Sequence, residues 1–454
     1  MPTETAFKYL NEVRFMTLSN WSVGAILSDK VLYKEGFKLE PIGNLIIRNR
    51  EKEILEDDKA YKQVTIKLYG KGVVQRGDEL IFGKDIGTKN QFRVSEGQFI
   101  MSKIDARNGA FGIVPAELEG AITTQDFLSY NINREKILPE FFNLITGTKH
   151  FAELCQKASS GTTGRQRVDE KAFLGFRIPV PDKDIQKKLV EGYFIRIRKS
   201  DKYIKSSEKS ILKSDETFLN LLDLKQLNKV YKNKKFQIFN FKDFGRWDVF
   251  SLDNTIYASL KKSKFEVKSL GQAFLFTRRK WSPKLETEKY ISYIEIGDVD
   301  PIRGIVNSTK TETRKAPSRA SQLVFENDLI IGTTRPYLKK FAIVSAEFHN
   351  QVCSSGFSVV APNENYNLEY LRMFLISEYG IEQLKNNMSG ALYPAITLSK
   401  LQDILIPFPP LSVQNEIVEK VNFELKDVVT SQKLAEKEQE LANREFESAI
   451  FNID

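Results

Sequence analysis

The chain carries one long pattern twice, about 230 residues apart, and this duplication constrains its fold more than any other feature. Phe99-Ile-Met-Ser-Lys-Ile-Asp-Ala-Arg-Asn-Gly-Ala-Phe-Gly-Ile-Val114 aligns with Leu329-Ile-Ile-Gly-Thr-Thr-Arg-Pro-Tyr-Leu-Lys-Lys-Phe-Ala-Ile-Val344. Phe127 then matches Phe357, Ser160-Gly161 matches Ser389-Gly390, and Ile178-Pro179-Val180-Pro181 matches Ile406-Pro407-Phe408-Pro409. A long polar stretch of helical character follows each proline cluster. Solenoid repeats run to roughly 50 residues, so a period this long means two tandem copies of a whole domain, each ending in a proline hinge and a helix. The expected division is 1–181 for the first domain, 182–235 for the first long helix and linker, 236–408 for the second domain and 409–454 for the second long helix.

Composition is consistent with two ordinary cores: 454 residues, 41% hydrophobic and 28% charged. Sixty-eight Lys and Arg against 59 Asp and Glu give a net charge of +9, a modest excess that suits an anionic partner and serves solubility equally well. Met1-Pro-Thr-Glu-Thr5 shows no charged-then-apolar leader pattern, and no apolar run approaches the roughly 18 residues of a membrane span, so a cytoplasmic location is expected. Cys155 and Cys353 do not correspond in the repeat, which argues for reduced thiols rather than a disulfide. With His150 and His349 the only histidines, a metal site would have to be built from carboxylates.

The stretch from Asp182 lacks proline for roughly 45 residues, and within it Ile197, Ile204, Ile211 and Phe218 recur every seven residues. Ser200, Ser207, Ser214 and Leu221 follow each by three, giving a seam of apolar and small residues that lets a partner helix approach closely. Arg196, Arg198, Lys199, Lys202, Lys205, Lys209 and Lys213 keep the outer faces wet. The C-terminal counterpart has its seam at Val418, Val421, Leu425, Val428, Ala435, Ala442 and Phe446. Pairing of the two helices as an antiparallel coiled coil is expected, because two related units would meet about a pseudo-twofold axis. Homodimeric association through either helix alone is the alternative.

Asp182 and Ser412 stand where an N-cap oxygen can accept the free amides of a first turn, and Gln186 and Gln414 fall at equivalent positions beyond them. Ile406-Pro-Phe-Pro-Pro-Leu-Ser-Val-Gln-Asn-Glu-Ile417 resembles the P-x-P-P-L-x-x-Q-x-x-I hallmark of type I restriction-modification specificity (S) subunits. The first copy, Ile178-Pro-Val-Pro-Asp-Lys-Asp-Ile-Gln-Lys-Lys-Leu189, lacks the second proline of the pair and the leucine. The duplication and the order of elements extend the resemblance over essentially the whole chain.

Short β-branched runs such as Leu45–Arg48, Val64–Leu68, Phe111–Val114, Tyr293–Ile296 and Phe357–Val360 read as strands, and helical stretches run around Pro139–Ala158 and Leu368–Asn387. The pattern alone indicates an α+β class; the resemblance implies two tandem mixed α/β target recognition domains that set loops and a small sheet against DNA. Phosphate binding needs Lys or Arg, and reading a guanine edge favours a bidentate Arg. Candidate DNA contacts in the first half are Lys103, Arg107 and the Ser159–Arg167 loop with Thr162, Thr163, Arg165 and Arg167. The second half offers Arg278, Arg279, Lys280, Thr333, Arg335, Lys339, its neighbour Lys340, and Tyr393 in the Ser389–Tyr393 loop. Each taken singly also fits solvated surface charge, and Arg107 and Arg335 also fit ion pairs that hold their domains together.

Motifs for catalysis are missing. The one Pro-Pro pair, Pro409-Pro410, lies between Phe408 and Leu411, unlike the Asn- or Asp-Pro-Pro-aromatic motif of adenine amino-methyltransferases. Gly70-Lys-Gly72-Val-Val-Gln-Arg-Gly77 fits neither a P-loop nor a dinucleotide fingerprint and reads as a turn between strands. Pro181-Asp182 starts no nuclease-like acid pair. The expectation is a noncatalytic subunit in which each domain reads half of a bipartite DNA target and the helices set the gap. The resemblance implies two methyltransferase (M) subunits and restriction (R) subunits as partners, with S-adenosylmethionine, ATP and Mg held by them and no cofactor in this chain. A coiled-coil scaffold protein that touches DNA only incidentally is the alternative from another class; steep loss of binding with rising salt would exclude it.

Overall fold

The computed structural model describes residues 33–68, 72–157, 159–160, 167–227, 255–284, 286–390 and 392–452. Its central strands are Phe99–Ser102 and Leu329–Gly332, apolar runs buried at every position. Each sits inside a four-stranded antiparallel sheet. The first sheet has the order Phe111–Ile113, Phe99–Ser102, Phe127–Ile132, Ile46–Arg48; the second has Phe341–Ile343, Leu329–Gly332, Phe357–Val360, Phe276–Thr277. The duplication extends to register: Met101 lies opposite Phe111 as Ile331 does opposite Phe341, and Ser102 opposite Phe127 as Gly332 does opposite Phe357.

The outer sheets are where the copies diverge. The first domain has a three-stranded sheet ordered Ile122–Thr123, Asn90–Arg93, Lys52–Ile54. The second has five strands, with Tyr290–Ile294 running parallel to Gln351–Ser354. Val64–Ile66 and Val73–Gln75 pair antiparallel; of the Gly-Lys-Gly stretch expected to turn between them, Gly70 and Lys71 lie outside the described residues.

Both expected helical stretches are split in two. Pro139–Thr146 is followed by Lys149–Lys157, and Leu368–Ile376 by Glu378–Asn386. The breaks share a chemistry. Thr148 Oγ1 donates to Ile145 O at 2.8 Å and accepts from Phe151 N, while Ser377 Oγ donates to Phe374 O at 2.6 Å and accepts from Gly380 N. One hydroxyl thus closes the end of one helix and caps the next, which is what a side chain that competes with backbone bonding does.

By contacts the chain forms two units: residues 1–201 with 436–454, and residues 202–435. The first core is aromatic, with Phe99 edge-on to Phe142 at 4.8 Å and Phe111 edge-on to Phe151 at 5.4 Å. The second gathers Leu329, Ile331, Phe341, Tyr370, Phe374 and Leu401. Cys155 and Cys353 are buried thiols that form no disulfide; burial raises both, Cys353 to about 12, which leaves them unreactive.

The first long helix, Lys183–Leu221, contributes a segment to each unit. In the first unit, Tyr193 meets Phe446 and Arg196 bonds both Glu445 and Glu438, so residue numbers rise on one helix as they fall on the other. In the second unit, Lys213 pairs with Glu424 at 2.8 Å while Phe218 and Leu222 share a core with Ile417 and Val421, again antiparallel. The small seam is the buried one: Ser200, Ser207 and Ser214 are buried, whereas Ile197, Ile204 and Ile211 are half-exposed. Val421, Val428, Ala435 and Ala442 are their buried counterparts. The C-terminal stretch is two helices, Leu411–Leu425 and Val428–Ile450, rather than one uninterrupted rod.

At the helix starts one expectation is corrected. Ser412 lies one residue inside its helix, and the N-cap position is Pro410, which has no side-chain oxygen to offer. The glutamines do different work: they tie the hinge to the domain. Gln186, fully buried, accepts from Leu138 N at 2.8 Å and donates to Pro181 O at 2.8 Å and Lys136 O at 3.1 Å. Gln414, also fully buried, accepts from Asn367 N at 2.9 Å and donates to Pro409 O at 2.8 Å. Each amide ties the proline hinge to the entry of the helix pair in its own domain, satisfying backbone groups that would otherwise be buried without partners. This is the physical content of the glutamine in the motif.

Candidate nucleic-acid interface

The central strand of each domain ends in a loop, and the two loops are held by one hydrogen-bond scheme. Lys103 N donates to Asp126 O at 2.8 Å and Lys103 O accepts from Val168 N at 3.0 Å. In the second domain Thr333 N donates to Gly356 O at 2.8 Å and Thr333 O accepts from Ile396 N at 3.0 Å. Val168 in one domain and Ile396 in the other are thereby docked beside the first loop. Residues that the sequence singled out on separate segments come together at one end of each sheet.

In the first domain this end carries Lys103, half-exposed, and Arg167, whose Nη2 meets Asp126 Oδ1 at 3.1 Å while the side chain stays 56% exposed. An ion pair this exposed is weakly held, so the guanidinium is free to exchange it for a phosphate or a base edge. Arg107 lies in the short 3-10 turn Ala106–Asn108 of the same loop. Thr162, Thr163 and Arg165 lie outside the described residues.

In the second domain all of this end but Ala391 is described. Ser389 and Ala395 exchange two 2.9 Å backbone bonds, Thr334 bridges Ala395, and Arg335 N donates to Pro394 O at 2.8 Å. The Arg335 guanidinium lies over the Tyr393 ring, 5.4 Å from its centre, and has no carboxylate partner among the described residues. The ion-pair alternative for Arg335 is therefore replaced by a cation–π contact. Arg335 and Lys339 both adopt left-handed backbone conformations, φ 49° and 56°, which cost a residue with a Cβ and recur at functional loops. Thr333 Oγ1 is committed to Gly356 O at 2.8 Å, and Lys340 Nζ to Val299 O. Beside Lys339 the half-buried Asp215 of the long helix has its carboxyl pKa raised by burial, against the opposing pull of the Lys339 charge.

The Arg278-Arg279-Lys280 cluster is not brought to this end. Arg279 forms a bidentate pair with Asp328, at 2.5 and 3.1 Å, and covers the Phe325 ring. Asp328 is fully buried and immediately precedes Leu329–Gly332, whereas Thr333 follows that strand. Arg279 thus stands at the other end of the strand with its donor fork occupied, leaving Arg278 and Lys280 as exposed neighbours. The sequence reading did not foresee Asp328, Asp126 or Gly356 as partners; the last two precede the matched Phe127 and Phe357, a signal that the repeat alignment held.

Among the described residues no group of His, Cys, Asp or Glu is placed to hold a metal ion, and no helix is long and apolar enough to cross a membrane.

The family model for the type I restriction modification DNA specificity domain matches the chain twice, over residues 34–213 and 262–442. The specificity subunit of the type I restriction enzyme HindI from Haemophilus influenzae is 26% identical over 133 residues, an alignment that spans 28% of this chain and 28% of that protein. Among solved structures, the S subunit of a type I restriction-modification system from M. genitalium superposes with a TM-score of 0.48 at 12% identity, covering 93% of this chain and 98% of that one. The HsdS subunit from Thermoanaerobacter tengcongensis gives a TM-score of 0.36 at 14% identity over 92% and 97% of the two chains. With the DNA specificity domain matched across both halves, hinge and helix included, the chain belongs to the type I restriction-modification specificity family.

Proposed function

We propose that the chain is the noncatalytic sequence-reading subunit of a type I restriction-modification complex, each domain reading one half of a bipartite target in duplex DNA. The observation that carries this is the repeated loop pair, held by the same hydrogen bonds at Lys103 and Thr333 and presenting Arg167 in one copy and Arg335 in the other. One geometry used twice with different side chains is what reading two different short sequences requires, because position comes from the backbone and specificity from the side chains. The paired helices set the gap between the half-sites and dock two methyltransferase subunits; restriction subunits join that assembly. S-adenosylmethionine, ATP and Mg belong to those partners, and the whole works in the cytoplasm.

The test is to map adenine methylation in the host genome and compare the wild-type chain with Arg167→Ala and Arg335→Ala. Each substitution is expected to relax one half-site only, with a loss of about 1 to 3 kcal/mol where the arginine pairs with guanine. Uniform weakening across all sequences, with a shallower salt dependence, would reduce both arginines to phosphate contacts. Methyl transfer by the purified chain alone would overturn the noncatalytic reading.

A further inference from the structure

The second domain's loop end carries an apolar projection that sequence reading by polar contacts does not use. Leu392 and Tyr393 are 82% and 73% exposed at the tip of the turn between Ser389 and Ala395, and Leu338 is exposed on the neighbouring loop. Large apolar side chains this exposed are a liability unless something covers them. Its flanks are nonetheless fastened. Gly390 takes φ +99°, which a side chain would strain, and the backbone bonds to Ala395, Thr334, Arg335 and Thr333 fasten both flanks. The backbone on either side of the projection is thus held in place.

Its surroundings say what kind of partner fits. Residues 333–340 and 389–396 contain no Asp or Glu, while Arg335, Lys339 and Lys340 supply three cations. Arg335 backs the Tyr393 ring. The acidic groups nearest these loops are already engaged: half-buried Asp215 lies beside Lys339, and on the helix Glu378–Asn386, which packs against Pro336–Leu338, Glu382 pairs with Lys385 and Glu378 accepts from Leu227 N. An apolar tip ringed by cations suits a polyanion with apolar planes between its charges, which describes a stacked duplex. A protein partner would need acidic groups around an apolar pocket.

We infer that Leu392 and Tyr393 form a wedge that enters a base step of the half-site read by the second domain and partly unstacks it. This rests on the proposed DNA-reading function. The first copy has Thr162-Thr163-Gly164-Arg165 in the equivalent loop, so only one half-site is opened in this way. The wedge makes the second half-site sensitive to how easily its steps unstack, with pyrimidine–purine steps favoured.

The experiment uses the full chain assembled with the methyltransferase subunits of its own system, on the duplex identified by methylation mapping. 2-Aminopurine is placed at one position after another through both half-sites. Binding is followed by anisotropy and unstacking by 2-aminopurine fluorescence. The wild type is expected to give a fluorescence rise at a single step in one half-site, and Leu392→Ala with Tyr393→Ala to abolish it while weakening binding about tenfold. Because both side chains are largely in solvent, the substitutions leave the fold intact, which circular dichroism checks. Tight wild-type binding without a fluorescence rise at any step would overturn the wedge and leave sequence reading intact. No sequence-specific binding at all would overturn the reading and the wedge together. Unchanged unstacking by the double variant, with loss of the methyltransferase subunits on size exclusion, would make the projection a protein contact instead.

Discussion

Replacing Arg279 by alanine leaves the Asp328 carboxylate buried with no cation to compensate it, a loss that typically costs about 3 to 5 kcal/mol. Arg279→Ala is therefore expected to lower the urea midpoint of the chain markedly, whereas Arg278→Ala, beside it and exposed, leaves the midpoint within experimental error. The contrast separates two arginines that are adjacent in sequence and equivalent in composition. Arg335 makes the opposite point. It sits in a left-handed conformation over Tyr393 with its guanidinium unpaired by any carboxylate among the described residues, so its removal is a matter for binding rather than for stability.

Among the elements, the helix pair depends on small residues at its buried positions. Ser207 is nearly inaccessible, and a leucine there forces the helices apart or into strained rotamers, at about 1 to 3 kcal/mol. Ser207→Leu is expected to lower the thermal midpoint, while Ser207→Ala, which keeps the volume, changes it little; equal stability of both variants would mean that the seam is loosely packed. Charged contacts add orientation: Arg196 reaches Glu438 and Glu445, two positions seven apart on one face of the facing helix.

For the whole molecule, the buried positions Val421, Val428, Ala435 and Ala442 recur every seven residues, so an insertion of seven in each helix keeps the seam in register where four would rotate it. Seven residues add about 10 Å at roughly 1.5 Å per residue, close to three base pairs at about 3.4 Å each. The methylated target of such a variant is expected to carry a gap about three base pairs longer, read by the same genome mapping. An unchanged gap would mean that the helices do not measure it.

The sequence by itself determined the two-copy plan, the α+β class, the heptad seam and three strands of the central sheets, those at Ile46–Arg48, Phe111–Ile113 and Phe357–Val360. Each of these rests on local periodicity or on a long internal match, and both survive without knowledge of the partner segments. It also brought out Gln186 and Gln414 by their equivalent positions, though not their role, because a buried amide acts through carbonyls and amides some 50 residues away in the chain. Only tertiary structure decided which basic residues share a surface. Arg279 and Arg335 look alike as letters, yet they lie at opposite ends of one strand, one sealed against Asp328 and the other open above Tyr393. It also decided that two units each combine a domain with segments of both helices, an arrangement set by burial and hydrogen bonding between segments that chain order keeps far apart.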